Sequence, residues 1–139
     1  MGSLRVVFDT NVLVSAIGFG GTPWDCLVLA FVGDVEMVTA DAAIAEFERV
    51  LGYDRLPFTE AERDQYPALI RAEATVVDPD ESVQMIDDDP DDDLFLETAL
   101  EAEADYIVSG DPHLTDLGVF RDINIISPSD FLEEAGARL

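Results

Sequence analysis

Asp9 ends the apolar run Leu4-Arg5-Val6-Val7-Phe8, and Asp111 follows a second run, Tyr106-Ile107-Val108, through Ser109-Gly110. Each run reads as a strand, so two strands far apart in sequence deliver carboxylates at their carboxyl ends. In an open parallel α/β sheet that edge is where ligands bind. Glu46 and the Asp-rich segment before Leu94 supply further acids, and a cluster of carboxylates suits a hard divalent cation. A charge at the end of a central strand is costly unless a metal or hydrogen-bond donors receive it. The structural alternative for Asp9 is a helix N-cap, and for Asp111, which precedes Pro112, a plain turn.

The elements that must position these acids alternate between strand and helix. Short apolar strand patterns fall at residues 4–8, 35–39, 75–77, 106–109 and 124–126. Helical patterns fall at 23–31, 41–51, 59–73, 91–103 and 129–134, with a shorter turn at 113–117. Thr59 before Glu62 reads as a capping box, and Ser127-Pro128 or Ser129 starts the last helix. The alternation predicts an α/β fold, one domain over residues 1–139, with a central parallel sheet of about five strands, right-handed crossovers and helices on both faces. At 139 residues and 48% hydrophobic content the chain has enough apolar material for one full core without staples. Its single cysteine, Cys26, lies among Trp24, Leu27, Val28 and Leu29 and reads as a small buried thiol. No apolar run approaches the ~18 residues of a bilayer span, and no basic segment followed by an apolar stretch opens the chain, which predicts a cytoplasmic protein with no membrane partner.

Helical phase sorts the acids within the helices. In 41–51 the apolar stripe is Ala43, Ile44, Phe47, Val50 and Leu51, with Glu46 and Glu48 on its opposite borders, so periodicity leaves both open. In 91–103 the stripe is Phe95, Leu96 and Ala99; Asp92 lies three and four residues before the first two, on that face, whereas Asp93 aligns with Glu97 and Glu101 in a row expected to face water. The run from Asp87 to Asp93 lacks the alternating ligands and the glycine of an EF-hand loop, which excludes a calcium site of that type. His113, the only histidine, reads as an exposed loop residue, since a carboxylate site for magnesium or manganese needs no imidazole.

The formal net charge is -24, from 31 acidic residues against seven basic ones, all of them arginine. The acids interleave with patterned apolar residues along the whole chain, unlike a disordered acidic tail. Self-repulsion of this size disfavours a compact state in dilute buffer, and at molar salt a Debye length of roughly 3 Å removes most of that penalty. The composition is that of a halophilic cytoplasmic protein.

Four segments together resemble the PIN-domain nucleases, in particular the branch of toxin–antitoxin toxins related to VapC. They are Val7-Phe8-Asp9-Thr10-Asn11-Val12-Leu13-Val14-Ser15-Ala16, Glu46-Phe47-Glu48-Arg49-Val50-Leu51, Asp89-Pro90-Asp91-Asp92-Asp93-Leu94-Phe95-Leu96 and Ala104-Asp105-Tyr106-Ile107-Val108-Ser109-Gly110-Asp111. A closing Ile125-Ile126-Ser127-Pro128-Ser129-Asp130-Phe131-Leu132 segment extends the likeness over nearly the whole chain. The resemblance implies that Asp9, Glu46, Asp92 and Asp111 are the catalytic and metal-holding acids, with Asn11 and Ser109 as polar neighbours. It thus selects Glu46 over Glu48. Many relatives carry a further acid where this chain has His113; the resemblance leaves two alternatives, Asp116 as a substitute or weaker binding of a second metal.

The chemistry so implied is hydrolysis of an RNA phosphodiester with Mg²⁺ or Mn²⁺, the ions polarising the phosphate and activating water. The implied partners are an RNA substrate, an antitoxin protein and a second copy of the chain. The dimer is suggested also by the apolar segment around Trp24, Leu27 and Phe31, whose alternative is burial in the chain's own core. Because nucleic-acid binding ordinarily relies on Lys and Arg, Arg5, Arg49 and Arg55 are the candidates for a local basic patch. A PIN-like RNA- or protein-binding module without cleavage is the alternative function. An aspartyl phosphoryl-transfer enzyme is disfavoured by the absence of lysine and by Asn11 at the place of a second Asp. Because screening relieves the self-repulsion, the melting temperature is expected to rise between dilute buffer and molar KCl; a flat or falling value in a calorimetric series contradicts this reading.

Overall fold

The computed structural model describes residues 4–53, 56–80 and 90–138, and the side chains of all of these except 90–92 and 137–138. Strands β1 (Leu4–Phe8), β2 (Val35–Ala40), β3 (Thr75–Val77), β4 (Tyr106–Val108), β5 (Val119–Phe120) and β6 (Ile123–Ile126) form one sheet in the order β3-β2-β1-β4-β6-β5. Every pairing is parallel except that of β5 with β6. The fold is therefore mixed α/β, with six strands where the sequence reading has about five. The additional strand, β5, turns back on β6 through Arg121 and Asp122, both at positive φ (46° and 70°).

Side-chain alternation along the central strands feeds two cores. Val6, Phe8, Tyr106 and Val108 point into one, packed with Phe47, Ile70 and Phe131. Val7 and Ile107 point into the other, with Phe95, Leu96, Ala99 and Ile125. This period of two is what a sheet covered on both faces requires of each strand.

Among the described residues seven helices do the covering: α1 (Thr10–Phe19), α2 (Gly21–Phe31), α3 (Asp41–Leu51), α4 (Glu60–Glu73), α5 (Pro90–Ala102), α6 (Pro112–Thr115) and α7 (Pro128–Arg138). α3 lies at its expected bounds, and Thr59 and Glu62 form the expected capping box at α4. α1 has no counterpart in the sequence reading. It buries Thr10, Val12, Leu13, Val14 and Ala16, so its apolar residues surround much of the axis and leave little period to read. Gly20 and Gly21, at φ 72° and 67°, allow the 103° bend that sends α2 back across the sheet. Among the described residues no single helix is long and apolar enough to cross a membrane.

The register of the central strands sets the candidate site. Phe8 pairs with Val108, so the next residues, Asp9 and Ser109, leave the sheet side by side. β2, on the other flank of β1, ends at Ala40, and α3 starts there, carrying Glu46 along the same edge. The anchor of α3 is Phe47, next to Glu46 and fully buried. Phe47→Ala is expected to cost about 3–5 kcal/mol, read as a lowered urea midpoint with an unchanged slope.

Candidate active site

Asp9 is 2% exposed, at the start of α1. Its Oδ1 accepts the backbone N–H of Val12 at 2.8 Å, which makes it the N-cap of that helix. Its Oδ2 accepts the hydroxyl of Ser109. The carboxylate of Asp9 thus caps α1, as the structural alternative has it, and does so at the carboxyl edge of the sheet.

Ser109, wholly buried, faces two ways. Its hydroxyl donates to Asp9 and accepts the backbone N–H of Asp111 at 2.9 Å. Asp111 in turn caps the short α6, accepting the N–H of His113 at 2.9 Å, and the exposed His113 ring stands with Nδ1 3.6 Å from the same carboxylate. A single hydroxyl thus couples the two acid-bearing loops.

Glu46 is half-buried, and its Oε2 accepts the Thr10 hydroxyl at 3.0 Å. Thr10, buried beside Asp9, ties α3 to the first turn of α1. Glu48 is exposed and lines a separate groove with Arg63 and Arg71 of α4. Of the two glutamates that periodicity left open, Glu46 is the one joined to the Asp9 edge. Thr10 had been read only as part of the motif; a hydroxyl next to an acid at a helix start was the signal available.

The α5 acids correct the phase assignment. Asp93 is 7% exposed rather than in a wet row, whereas Glu101 is exposed as expected and Glu97 half-buried. The reason is that α5 packs against α3 as well as against β1, β2, β3 and β4, so its covered arc is wider than the Phe95, Leu96, Ala99 stripe. The backbone of Asp92 belongs to α5, but its side chain lies outside the described residues, as do Asp87, Asp88 and Asp89. Asn11 is exposed; it reaches Asp9 through its backbone N–H, not its amide. Asp116 is also exposed, at the end of α6.

The expected basic patch does not include Arg5. That residue stands at the opposite end of β1 from Asp9, pairs with Glu36 at 2.8 Å and donates to the carbonyl of Ala102. Arg49 is exposed in the last turn of α3, and Arg55 lies outside the described residues. Cys26 behaves as the buried thiol expected: desolvation, aided by Asp25, pushes its pKa up to about 12, and its Sγ donates to the carbonyl of Pro128. Of the apolar segment considered for a dimer, Leu27 is core, while Trp24 is partly exposed and in edge contact with Phe31.

A sequence profile of the PIN domain matches residues 5–113. The chain belongs to the PIN-domain family. Members of this family are in general nucleases. Two solved structures share the fold of this PIN domain. PAE2754 from Pyrobaculum aerophilum superposes with a TM-score of 0.64 at 13% identity, over 99% of this chain and 94% of that one. VapBC2 from Rickettsia felis, bound to a DNA fragment from their promoter, gives 0.62 at 12% identity, over 88% and 97%. No curated protein matches the sequence.

The electrostatics of the site follow from its burial. Desolvation, the largest effect, pushes the Asp9 pKa above its ordinary 3.8, and the nearby Asp111 charge adds to it; the Ser109, Val12 and Asn11 hydrogen bonds oppose. Among the described residues no basic side chain contributes to this shift. The PIN domain thus holds a buried carboxylate beside a second one with only neutral donors around it, an oxygen donor set suited to a hard divalent cation. Among the described residues no three acidic, histidine or cysteine side chains stand close enough together to form a ligand group. Because the folded pKa of Asp9 is raised, its stabilising contribution is complete below 3.8 and is lost as pH rises through the folded value. Asp9→Asn escapes that loss, so the metal-free variant is expected to melt higher than the parent at neutral pH. The difference should shrink towards pH 4 in paired calorimetric scans, and a variant that melts lower throughout contradicts the assignment.

Proposed function

We propose that this PIN domain is a metal-dependent endoribonuclease and the toxin component of a toxin–antitoxin pair, acting in the cytoplasm of a salt-accumulating cell. The observation that carries the reading is the Asp9, Ser109, Asp111 linkage at the carboxyl edge of the central strands, with Glu46 joined to the same edge through Thr10. The match to the PIN domain supports a nuclease, and the fold shared with VapBC2 supports an antitoxin as partner.

Asp9, Glu46 and Asp111, with Asp92 or Asp93 from α5, are the residues assigned to hold Mg²⁺ or Mn²⁺. Held there, the ion would supply Lewis-acid activation of the scissile phosphate and of an attacking water. The protein's own groups keep the carboxylates in place. Ser109 fixes the separation of the two acid-bearing loops, the first turn of α1 holds the Asp9 carboxylate, and Thr10 orients Glu46. No side-chain nucleophile takes part. The net charge of -24 opposes RNA in dilute buffer, and molar salt screens that repulsion. A homodimer through the α2 face carrying Trp24 belongs to the same proposal.

The second reading, a PIN module that binds RNA or protein without cutting, rests on the structural work that Asp9 and Asp111 already do as the N-caps of α1 and α6. One experiment separates the two. The protein is incubated with RNA in molar KCl with Mn²⁺, Mg²⁺ or EDTA, beside Asp9→Asn, Asp92→Asn and Asp93→Asn variants, with Mn²⁺ binding followed by calorimetry. Cleavage with metal that disappears in EDTA and in Asp9→Asn is expected. Asp93→Asn is expected to lower Mn²⁺ affinity, since its carboxylate is buried; a larger loss in Asp92→Asn assigns the ligand to Asp92. Equal cleavage in EDTA refutes the metal mechanism, and metal or RNA binding without cleavage supports the module.

A further inference from the structure

We propose that the small cavity between the Asp9 and Asp111 loops is a base pocket that receives one pyrimidine ring of a bound RNA strand, an assignment that rests on the ribonuclease reading. The cavity, a shallow recess of about 130 Å³ broadly open to solvent, is lined by Asn11, Val12, Ser15, Pro23, Gly110 and Pro128.

Its place follows from the chain path. Asn11 and Val12 come directly after the Asp9 edge, and Gly110 directly precedes Asp111, so a nucleotide whose phosphate lies at the two carboxylates has its base within reach of the cavity. Its lining carries no charged side chain among the described residues, in a chain where 27% of residues are charged. That lining disfavours a phosphate or a metal ion and suits a neutral ring. Its size is near the ~150 Å³ that takes one benzene-sized ring in an apolar interior, and well below the ~300 Å³ at which larger ligand sites begin. A single six-membered ring therefore fits better than a purine.

The pocket also has polar groups for a ring edge. Asn11 and Ser15 are four residues apart on α1 and share one face of that helix. An amide offers a donor and an acceptor, and a hydroxyl either role, which is the complement of a pyrimidine's carbonyl and ring N–H or amino groups. Pro23 and Pro128 provide apolar surface from α2 and α7. Unstacked bases read by edge contacts are the usual route to specificity in single-stranded RNA.

The test is an amide NMR titration of the intact chain with each of the four nucleoside 5′-monophosphates and with ribose 5-phosphate, in molar KCl. Shifts centred on Asn11, Ser15 and Gly110 are expected, with UMP or CMP at least five-fold tighter than AMP or GMP and ribose 5-phosphate without effect. Ser15→Leu, which fills the cavity from α1, should weaken the pyrimidine nucleotide at least ten-fold. Pro23→Leu, which fills it from α2, gives the same reading should Ser15→Leu fail to fold by its own spectrum. Equal shifts from ribose 5-phosphate, equal affinity for purines, or an apolar tripeptide that moves these amides when nucleotides do not each overturn the proposal. The readout does not involve cleavage. Lost nucleotide binding in a protein that still cuts RNA refutes the pocket and leaves the nuclease, whereas pyrimidine binding in a protein that does not cut supports the pocket and refutes the nuclease.

Discussion

The burial of one carboxylate at the end of the central strand constrains everything around it. Asp9 loses most of its hydration, and the donors turned towards it are amides that open α1 and the hydroxyl of Ser109. Those donors stabilise the anion without neutralising it, as a helix N-terminus does through its unsatisfied N–H groups. The result is a buried carboxylate whose two oxygens are hydrogen-bonded by neutral groups.

The same constraint explains why the site is assembled from contacts remote in sequence. Ser109 sits beside Asp9 only because β1 and β4 pair in a register that matches Phe8 with Val108. A slip of one residue would turn the shifted strand's side chains to the wrong faces and also separate the hydroxyl from the acid. Register is held by the two cores, with Val6 and Phe8 on one side and Val7 and Ile107 on the other. Packing on both faces therefore fixes a polar distance that no local interaction could fix.

Much of this was legible in the sequence, and what was not has identifiable causes. Strand β1, strand β3, helix α3 and the Thr59, Glu62 cap were readable because apolar period and cap chemistry are local signals. The elements missed lack such signals: α1 is apolar around much of its surface, and β5 is two residues long, joined to β6 by a turn of Arg121 and Asp122 with no glycine to announce positive φ. In the site, Asp9 and Asp111 were visible from their places after strand patterns. The burial of Asp93 was not, because the phase of a single stripe describes a helix with one neighbour, and α5 has both the sheet and α3. The part of Ser109 as a bridge depends on strand register, which no single segment encodes.

The two margins of the sheet carry a different consequence. β3 and β5, the outermost strands, are three and two residues long, too short to template the addition of another chain's backbone. In dilute solution a chain of this charge is kept from its copies by long-range repulsion, which concentrated salt abolishes. What then separates one molecule from the next is geometric: margins this short offer another chain few amides and carbonyls to pair with.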